Sequence, residues 1–280
     1  MRIQIYYFSG TGNTLHVAKE LAAHLPEAEL VPIVHCIKES NYTVQGDVVG
    51  FVFPLHGMTL PVPVRMFLQK ATFSSNPYIF GLTTRGGTKV FAFEKMIGLL
   101  KRKNQILDAS CILTMWGNDP KLKDYEDPSQ ADIAAMEKDV QDQIESFANT
   151  INQRNTSLVD DSDYITFDFP KPITYLMEQL ILFGMWTNTW HNVRDYFEAD
   201  EKCVGCGVCE YVCLSGKIRM NGDKPVWQDD KKCYFCYTCL NYCPTQAIQI
   251  KDKPYMKSFT PDKGRYPHPF ATKDEIVEQK

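Results

Sequence analysis

The sequence predicts an α/β protein in which a doubly wound parallel sheet of strand order 2-1-3-4-5 precedes a small α+β domain. Apolar segments of strand length alternate with segments of helical periodicity through residues 1–154. The first strand leads into a loop of glycine and hydroxyl residues that opens a helix. Further along, eight of the ten cysteines fall into two copies of one spacing, C-x2-C-x2-C-x3-C. These three features organise the chain.

The sheet is predicted from five apolar segments. They are Arg2–Phe8, Leu30–Val34, Asp47–Phe53, Tyr78–Thr83 and Cys111–Met115. The third is almost entirely apolar, as expected of a parallel strand that is covered on both faces. Helical periodicity is clearest in Leu15–Leu25, Phe91–Lys103 and Ala131–Asn152. Ligands of such sheets bind beyond the carboxyl ends of the strands, so the candidate site lies at residues 9–14, 54–58, 83–88 and 116–119.

The loop after the first strand reads Ser9-Gly10-Thr11-Gly12-Asn13-Thr14. Its backbone N–H groups, its hydroxyls and the following helix dipole suit a phosphate group. It lacks the lysine of a Walker loop, and it is not the dinucleotide fingerprint G-x-G-x-x-G. An ordinary strand-to-helix turn is the alternative interpretation. The stretch Phe8–Thr14 closely resembles the loop that binds the FMN phosphate in flavodoxins, and the resemblance extends over residues 1–154.

The flavodoxin resemblance implies that the loops after the third and fourth strands surround the flavin ring. It assigns FMN binding to Ser9, Gly10, Thr11, Gly12, Asn13, Thr14, Pro54, His56, Gly57, Thr84, Gly86 and Gly87. The two ring loops contain neither Trp nor Tyr, and Trp116 follows the next strand. His56 either bonds the ring or a substrate or is an ordinary loop histidine. Arg85 either neutralises a reduced flavin or is a solvated loop arginine, which is the expectation favoured here.

The cysteine runs are Cys203, Cys206, Cys209 and Cys213, then Cys233, Cys236, Cys239 and Cys243. Iron prefers thiolate ligands, and three closely spaced cysteines converge on one face of a cluster. A structural zinc site or disulfides are the alternatives, but zinc uses one tetrahedral set and disulfides favour exported proteins. Asp200–Lys253 resembles the bacterial ferredoxins that carry two [4Fe-4S] clusters. The two copies also match beyond the cysteines, since Ile218 aligns with Ile248 and Met220 with Ile250, and Lys217–Met220 and Ala247–Ile250 are predicted strands.

The ferredoxin resemblance implies crossed ligation, in which the fourth cysteine of each run reaches the other cluster. The first cysteine set is then Cys203, Cys206, Cys209 and Cys243. The second cysteine set is Cys233, Cys236, Cys239 and Cys213.

Domain boundaries follow from composition. We expect a flavodoxin-like domain at 1–154, a linker and helical connector at 155–199, a ferredoxin domain at 200–253 and a tail at 254–280. The connector Ile173–Val193 carries a broad apolar face that we expect to pack between the domains, which would hold the cofactors in an internal relay. No chemical role is predicted for the tail.

Composition excludes several classes of function. The formal net charge of -4 gives no support for nucleic-acid binding. The longest apolar run is too short to span a bilayer, which needs roughly 20 residues. The chain starts almost directly with a strand and without an export signal, so we expect a cytoplasmic protein.

The whole chain resembles fusions of a flavodoxin-like domain with a two-cluster ferredoxin, found mostly in anaerobes. The resemblance implies electron transfer among FMN, two [4Fe-4S] clusters and a redox partner protein. One alternative is an oxidoreductase in which the clusters feed a flavin that reduces a small molecule. Another is a non-redox accessory protein whose flavin fold is empty. No residues suggest acid–base or nucleophilic catalysis, so we expect an electron carrier rather than an enzyme.

Overall fold

A computed structural model of the chain describes residues 1–56, 59–86, 93–159, 196–252 and 257–280, with four single positions in the connector. The strands of the first half are β1 Ile3–Tyr7, β2 Ala28–Pro32, β3 Thr43–Val44, β4 Val48–Pro54, β5 Thr72–Phe73, β6 Tyr78–Arg85 and β7 Ala109–Thr114. Five of them form one parallel sheet in the order β2-β1-β4-β6-β7. This is the predicted 2-1-3-4-5 arrangement, which is confirmed. The side chains of its three central strands are buried on both faces, except that Pro54 and Tyr78 are half-buried.

The helices that cover the sheet are α1 Asn13–Ala23, α2 Ile33–Lys38, α3 Val62–Lys70, α4 Glu94–Lys101 and α5 Gln130–Asn152. The predicted second strand ends too late, because Ile33 and Val34 already belong to α2. Both side chains are buried from the helix, and a short apolar run does not distinguish a buried strand from a buried helix. The longest helix, α5, begins with a capping box between Ser129 and Asp132.

The cysteine-rich segment forms a small α+β unit. It contains β8 Phe197–Ala199, α6 Val208–Tyr211, β9 Ile218–Asn221, β10 Lys224–Trp227, α7 Thr238–Asn241 and β11 Ile248–Ile250. The strands pair as two antiparallel ribbons, β9 with β10 and β8 with β11. Both predicted strands are therefore present, each with a short antiparallel partner rather than with each other.

The two halves of the chain share one hydrophobic core. Leu214 and Tyr234 of the cysteine-rich segment belong to the buried cluster that fills the sheet domain. So do Ala271 and Ile276 of the tail. The tail forms helix α8, Lys273–Val277, with a capping box between Thr272 and Glu275, and Glu275 forms an ion pair with Lys19 of α1. Burial of apolar surface therefore fixes the three parts against one another.

The connector is described at Ile173, Leu176, Leu180 and Phe183 only. Their spacing places them on one face of a helical segment. These side chains are 44%, 58%, 62% and 60% exposed, so the expected packing is wrong at these four positions. The rest of the predicted connector lies outside the described residues. Among the described helices, none combines the length and apolar character needed to cross a membrane.

Candidate cofactor sites

A small cavity lies at the carboxyl edge of the sheet. Its volume is about 50 Å³. Its walls come from the loops after β1, β4, β6 and β7 and comprise Ser9, Gly10, Thr11, Asn13, Thr14, Pro54, Leu55, His56, Thr84, Arg85, Gly86, Trp116, Gly117 and Asn118. Parallel strands bring these four chain segments to one edge, which is where the strand order predicts a ligand.

The loop after β1 is held by its own polar groups. The amide of Gly12 donates to Oγ of Ser9 at 3.2 Å. The hydroxyls of Thr14 and Thr84 are 2.8 Å apart, which ties the loop to the end of β6. The amide Nδ2 of Asn13 donates to the carbonyl oxygen of Trp116 at 3.0 Å. The backbone N–H groups at the start of α1 are thus presented on a fixed frame.

Two buried polar atoms beside the cavity have no hydrogen-bond partner among the described residues. They are Oδ1 of Asn13 and Nδ1 of His56. Burial, with a smaller effect of Lys121, lowers the pKa of His56 to about 4, so its ring is neutral at neutral pH. Buried polar groups are nearly always paired in proteins, so both atoms indicate that a polar group belongs in this cavity.

The structure changes the expected roles of several loop residues. Gly12 faces away from the cavity, because a β-carbon there would lie 2.7 Å from Ala271 and 2.8 Å from His268. Arg85 is buried rather than solvated, and its Nε donates to the Thr114 hydroxyl at 3.3 Å. Trp116 lies in the cavity wall although it follows the last sheet strand. The predicted residues Gly57 and Gly87 lie outside the described residues.

The first cysteine set is brought together across the repeat. Burial, together with the neighbouring thiols of Cys243, Cys203 and Cys206, raises the pKa of Cys209 to about 11. Cys243 lies near Cys209 although the two cysteines are 34 positions apart in sequence. The amide of Ala247 donates to Sγ of Cys243 at 3.2 Å. Such amide–sulfur bonds help to set the potential of a cluster.

The second cysteine set surrounds a small cavity lined by Cys213, Cys233, Cys236 and Cys239. Burial raises the pKa of Cys233 to about 12, and Cys236 and Cys213 contribute to the rise. Burial likewise raises the pKa of Cys236 and Cys239, whereas a bound metal centre would deprotonate the thiols that coordinate it. Cys213 of the first run lies beside three cysteines of the second run in the wall of this cavity.

This second set lies directly against the loop after β1. A β-carbon at Gly10 would lie 2.9 Å from the β-carbon of Cys236 and would overlap its carbonyl oxygen. The hydroxyl of Thr238 donates to the carbonyl oxygen of Gly10 at 2.8 Å and lies 3.0 Å from Sγ of Cys236. Only glycine permits so close an approach of two backbones.

The loop after β7 makes a second bridge to the same region. Nζ of Lys121 is 3.3 Å from the carboxylate of Asp119 and donates to the Tyr237 hydroxyl at 3.2 Å. The hydroxyls of Tyr237 and Tyr196 are 2.7 Å apart. Nδ2 of Asn241 donates to the carbonyl oxygen of Asn118 at 3.2 Å. The wall of the cavity is therefore connected to the second cysteine set by side-chain hydrogen bonds.

The tail, residues 257–280, also forms hydrogen bonds with the loop after β1. The carboxamide of Gln279 accepts from the Ser9 amide and donates to the Ser9 carbonyl oxygen, both at 2.9 Å. The amide of His268 donates to the Thr11 carbonyl oxygen at 2.8 Å. Glu137 of α5 accepts from His16 at 2.7 Å and from His268 at 3.0 Å. Sequence analysis missed these contacts, since residues so far apart leave no pattern that could reveal them.

The strand order and the paired cysteine runs define a flavodoxin-like domain fused to an iron–sulfur domain. Residues 202–248 match the family model described as the 4Fe-4S dicluster domain. The ferredoxin of Methanothermococcus thermolithotrophicus is 37% identical over 54 residues, covering 19% of this chain and 90% of that protein. Through this segment the chain belongs to the 4Fe-4S dicluster ferredoxin family.

Two further proteins are similar to parts of this chain. Pyruvate synthase subunit PorD of Methanocaldococcus jannaschii is 36% identical over 62 residues, covering 22% of this chain and 71% of that protein. The two-electron reduced flavodoxin of Megasphaera elsdenii is 16% identical and covers 53% of this chain and 99% of its own, with a TM-score of 0.33. The flavodoxin-like fold is assigned here from the strand order itself.

Proposed function

We propose that this protein is an internal electron relay, in which two [4Fe-4S] clusters exchange electrons with FMN at the edge of the sheet. A redox partner protein would supply or accept electrons at the iron–sulfur end. The observation that carries the proposal is the contact of Gly10 with Cys236. It sets the second cysteine set against the loop expected to hold the FMN phosphate, so that no diffusional step separates the two sites.

The cluster ligands of this proposal are the two crossed sets. Cys203, Cys206, Cys209 and Cys243 would hold one cluster, and Cys213, Cys233, Cys236 and Cys239 the other. The positions of the thiols support both sets, because Cys243 lies near Cys209 while Cys213 lines one cavity with Cys233, Cys236 and Cys239. Each cluster would supply one-electron chemistry without a proton.

FMN fits the chemistry of the cavity. The amides and hydroxyls of Ser9 to Thr14 suit a phosphate, and the unpartnered atoms of Asn13 and His56 suit polar groups of the cofactor. The buried Arg85 adds a positive charge at the wall. FMN would supply a centre that accepts one or two electrons. Neutral His56 and the flanking Trp116 would then orient the ring and limit the access of water.

Anaerobic purification followed by iron, sulfide and flavin assays tests the composition. The proposal expects about eight irons and one FMN per chain. An iron-loaded protein that takes up no FMN would contradict the flavin part of the proposal, and a protein without iron would contradict all of it.

Rapid reduction of the clusters tests the relay itself. Flavin reduction is followed by absorbance at several protein concentrations, without any partner protein present. An internal relay gives a rate that does not depend on protein concentration. A rate that rises in proportion to concentration would show transfer between molecules and would overturn the relay.

A further inference from the structure

The internal repeat places a lysine and an alanine at equivalent buried positions. Because Cys213 aligns with Cys243 and Ile218 with Ile248, Lys217 aligns with Ala247. Each of these two residues is only 1% exposed. One copy of the motif therefore buries a methyl group where the other copy buries an ammonium group.

Lys217 has unusual surroundings for a buried cation. Its Nζ donates to the carbonyl oxygens of Gln228 at 2.6 Å and Lys231 at 2.8 Å. No carboxylate of the described residues forms an ion pair with it, and the nearby Asp229 and Asp230 are exposed to solvent. Burying an ammonium group is costly unless an anion compensates for it. This environment indicates that a buried negative charge belongs nearby.

A cluster bound by the second cysteine set would supply the compensating charge. Lys217 lines the same small cavity as Cys213, Cys233, Cys236 and Cys239. A [4Fe-4S] centre with four thiolate ligands is anionic, and its negative charge increases by one when it is reduced. A buried cation stabilises the more negative state, since attraction between charges is strong where water is excluded. Net charge around a cluster is one of the terms that set its potential.

We propose that Lys217 raises the potential of the cluster on the second cysteine set above that of the other cluster, so that the electron rests beside the loop after β1. The proposal rests on the proposed function for its clusters but does not require FMN. The step is a single electron leaving the reduced first cluster and entering the oxidised second cluster, with no bond made and no proton moved. The electron enters from an external one-electron donor of low potential, such as dithionite.

The test is a reductive titration followed by electron paramagnetic resonance on the full chain loaded with clusters. In Lys217→Met, which keeps the length of the side chain, the higher of the two potentials falls and the lower one does not. The ratio of electron occupancy between the two clusters should change about tenfold or more, which corresponds to about 59 mV for one electron. Lys231→Met is the matched control, because it removes a half-exposed ammonium from the same loop, and it leaves both potentials in place.

Two further variants keep the test decisive if Lys217→Met fails to assemble its cluster. Lys217→Arg keeps the charge and should preserve the gap between the two potentials. Thr238→Val keeps Lys217 and removes the hydroxyl that contacts Sγ of Cys236 and the carbonyl oxygen of Gly10, so the higher potential must be the one that shifts. A shift of the lower potential in Thr238→Val, or a gap unchanged in a fully loaded Lys217→Met, would overturn the proposal. Iron content distinguishes these results from failure of the proposed function, which predicts both clusters.

Discussion

The side chain of Gln279 forms two hydrogen bonds with the backbone of Ser9, a residue 270 positions earlier in the chain. Its carboxamide satisfies the N–H and the C=O of Ser9 as a neighbouring strand would. Gln279 is fully buried, so water does not compete for these groups. The tail, for which the sequence suggested no role, is thereby a structural part of the loop expected to bind phosphate.

Replacing Gln279 should therefore weaken the whole sheet domain. Gln279→Ala leaves two backbone groups of Ser9 buried without partners, which costs roughly 1–3 kcal/mol. The free energy of unfolding, measured by chemical denaturation of the loaded protein, checks this. Glu278→Ala, at the exposed neighbouring position, is the control and should change little. Equal stability of the two variants would contradict the role assigned to Gln279.

The contact between Gly10 and Cys236 predicts that no side chain larger than that of glycine fits at position 10. Gly10→Ala inserts a methyl group where no room exists, and overpacking of this kind costs roughly 1–3 kcal/mol. Because the displaced group belongs to the second cysteine set, the cluster there should be lost faster in air than the other one. Iron release followed by absorbance measures this.

Gly98 of α4 provides the matched control for that substitution. A β-carbon at Gly98 would meet no atom within 4 Å. Gly98→Ala should stabilise the helix by about 0.5–1 kcal/mol and leave both clusters untouched. If both alanine variants release iron at the wild-type rate, the contact at Gly10 does not support the second cluster.

Crossed ligation predicts which cluster each cysteine holds. Cys243→Ser should damage the cluster of Cys203, Cys206 and Cys209, and Cys213→Ser should damage the other. Electron paramagnetic resonance of the two variants, compared with a Cys206→Ser variant, shows which signal each one loses. If Cys243→Ser loses a different signal from Cys206→Ser, the crossed assignment is wrong.

The FMN site is tested at Thr11, whose side chain lines the cavity and contacts Asn118. Thr11→Asp sets a carboxylate against the expected phosphate dianion, so FMN affinity should fall at least a hundredfold. Thr11→Ser keeps the hydroxyl and is the control. Fluorescence titration of flavin-free protein gives both dissociation constants. Unchanged FMN affinity in Thr11→Asp would show that this loop does not bind the phosphate.

The sequence predicted those parts of the molecule that leave a local pattern. The alternation of apolar strand segments with helical segments predicted the strand order correctly. The spacing of the cysteines from Cys203 to Cys243 indicated the cluster family whose model residues 202–248 match. The way in which the two halves are joined has no such pattern. The apolar connector suggested packing between the domains, yet its four described side chains are exposed, and the two halves instead approach each other closely at Gly10 and Cys236. Tertiary contacts of this kind depend on the whole fold rather than on neighbouring residues.

The last prediction concerns acid stability. Burial opposes ionisation of Glu137, but hydrogen bonds from His16 and His268 outweigh it and lower the pKa of Glu137 to about 2. In the unfolded chain the carboxyl has its ordinary pKa near 4.5. A group with a lowered pKa in the folded state stabilises the protein above the unfolded value and loses that effect as the pH falls. The contribution of Glu137 should therefore be complete above about pH 4.5 and disappear towards pH 2.

In Glu137→Gln the free energy of unfolding should fall less steeply as the pH decreases from about 4.5 towards 2. Burial also lowers the pKa of His268, so protonation of the unfolded chain below about pH 6.5 adds a separate loss that Glu137→Gln does not remove. Unfolding free energies measured between pH 7 and the lowest pH at which the clusters survive distinguish the two effects. Glu145→Gln, at an exposed position of the same helix α5, is the control and should keep the wild-type slope. The tail is held through His268, so the steeper wild-type slope should coincide with detachment of residues 257–280, measured by proteolysis. If Glu137→Gln and Glu145→Gln show the same slope between pH 4.5 and the acid limit, Glu137 does not hold the tail through its charge.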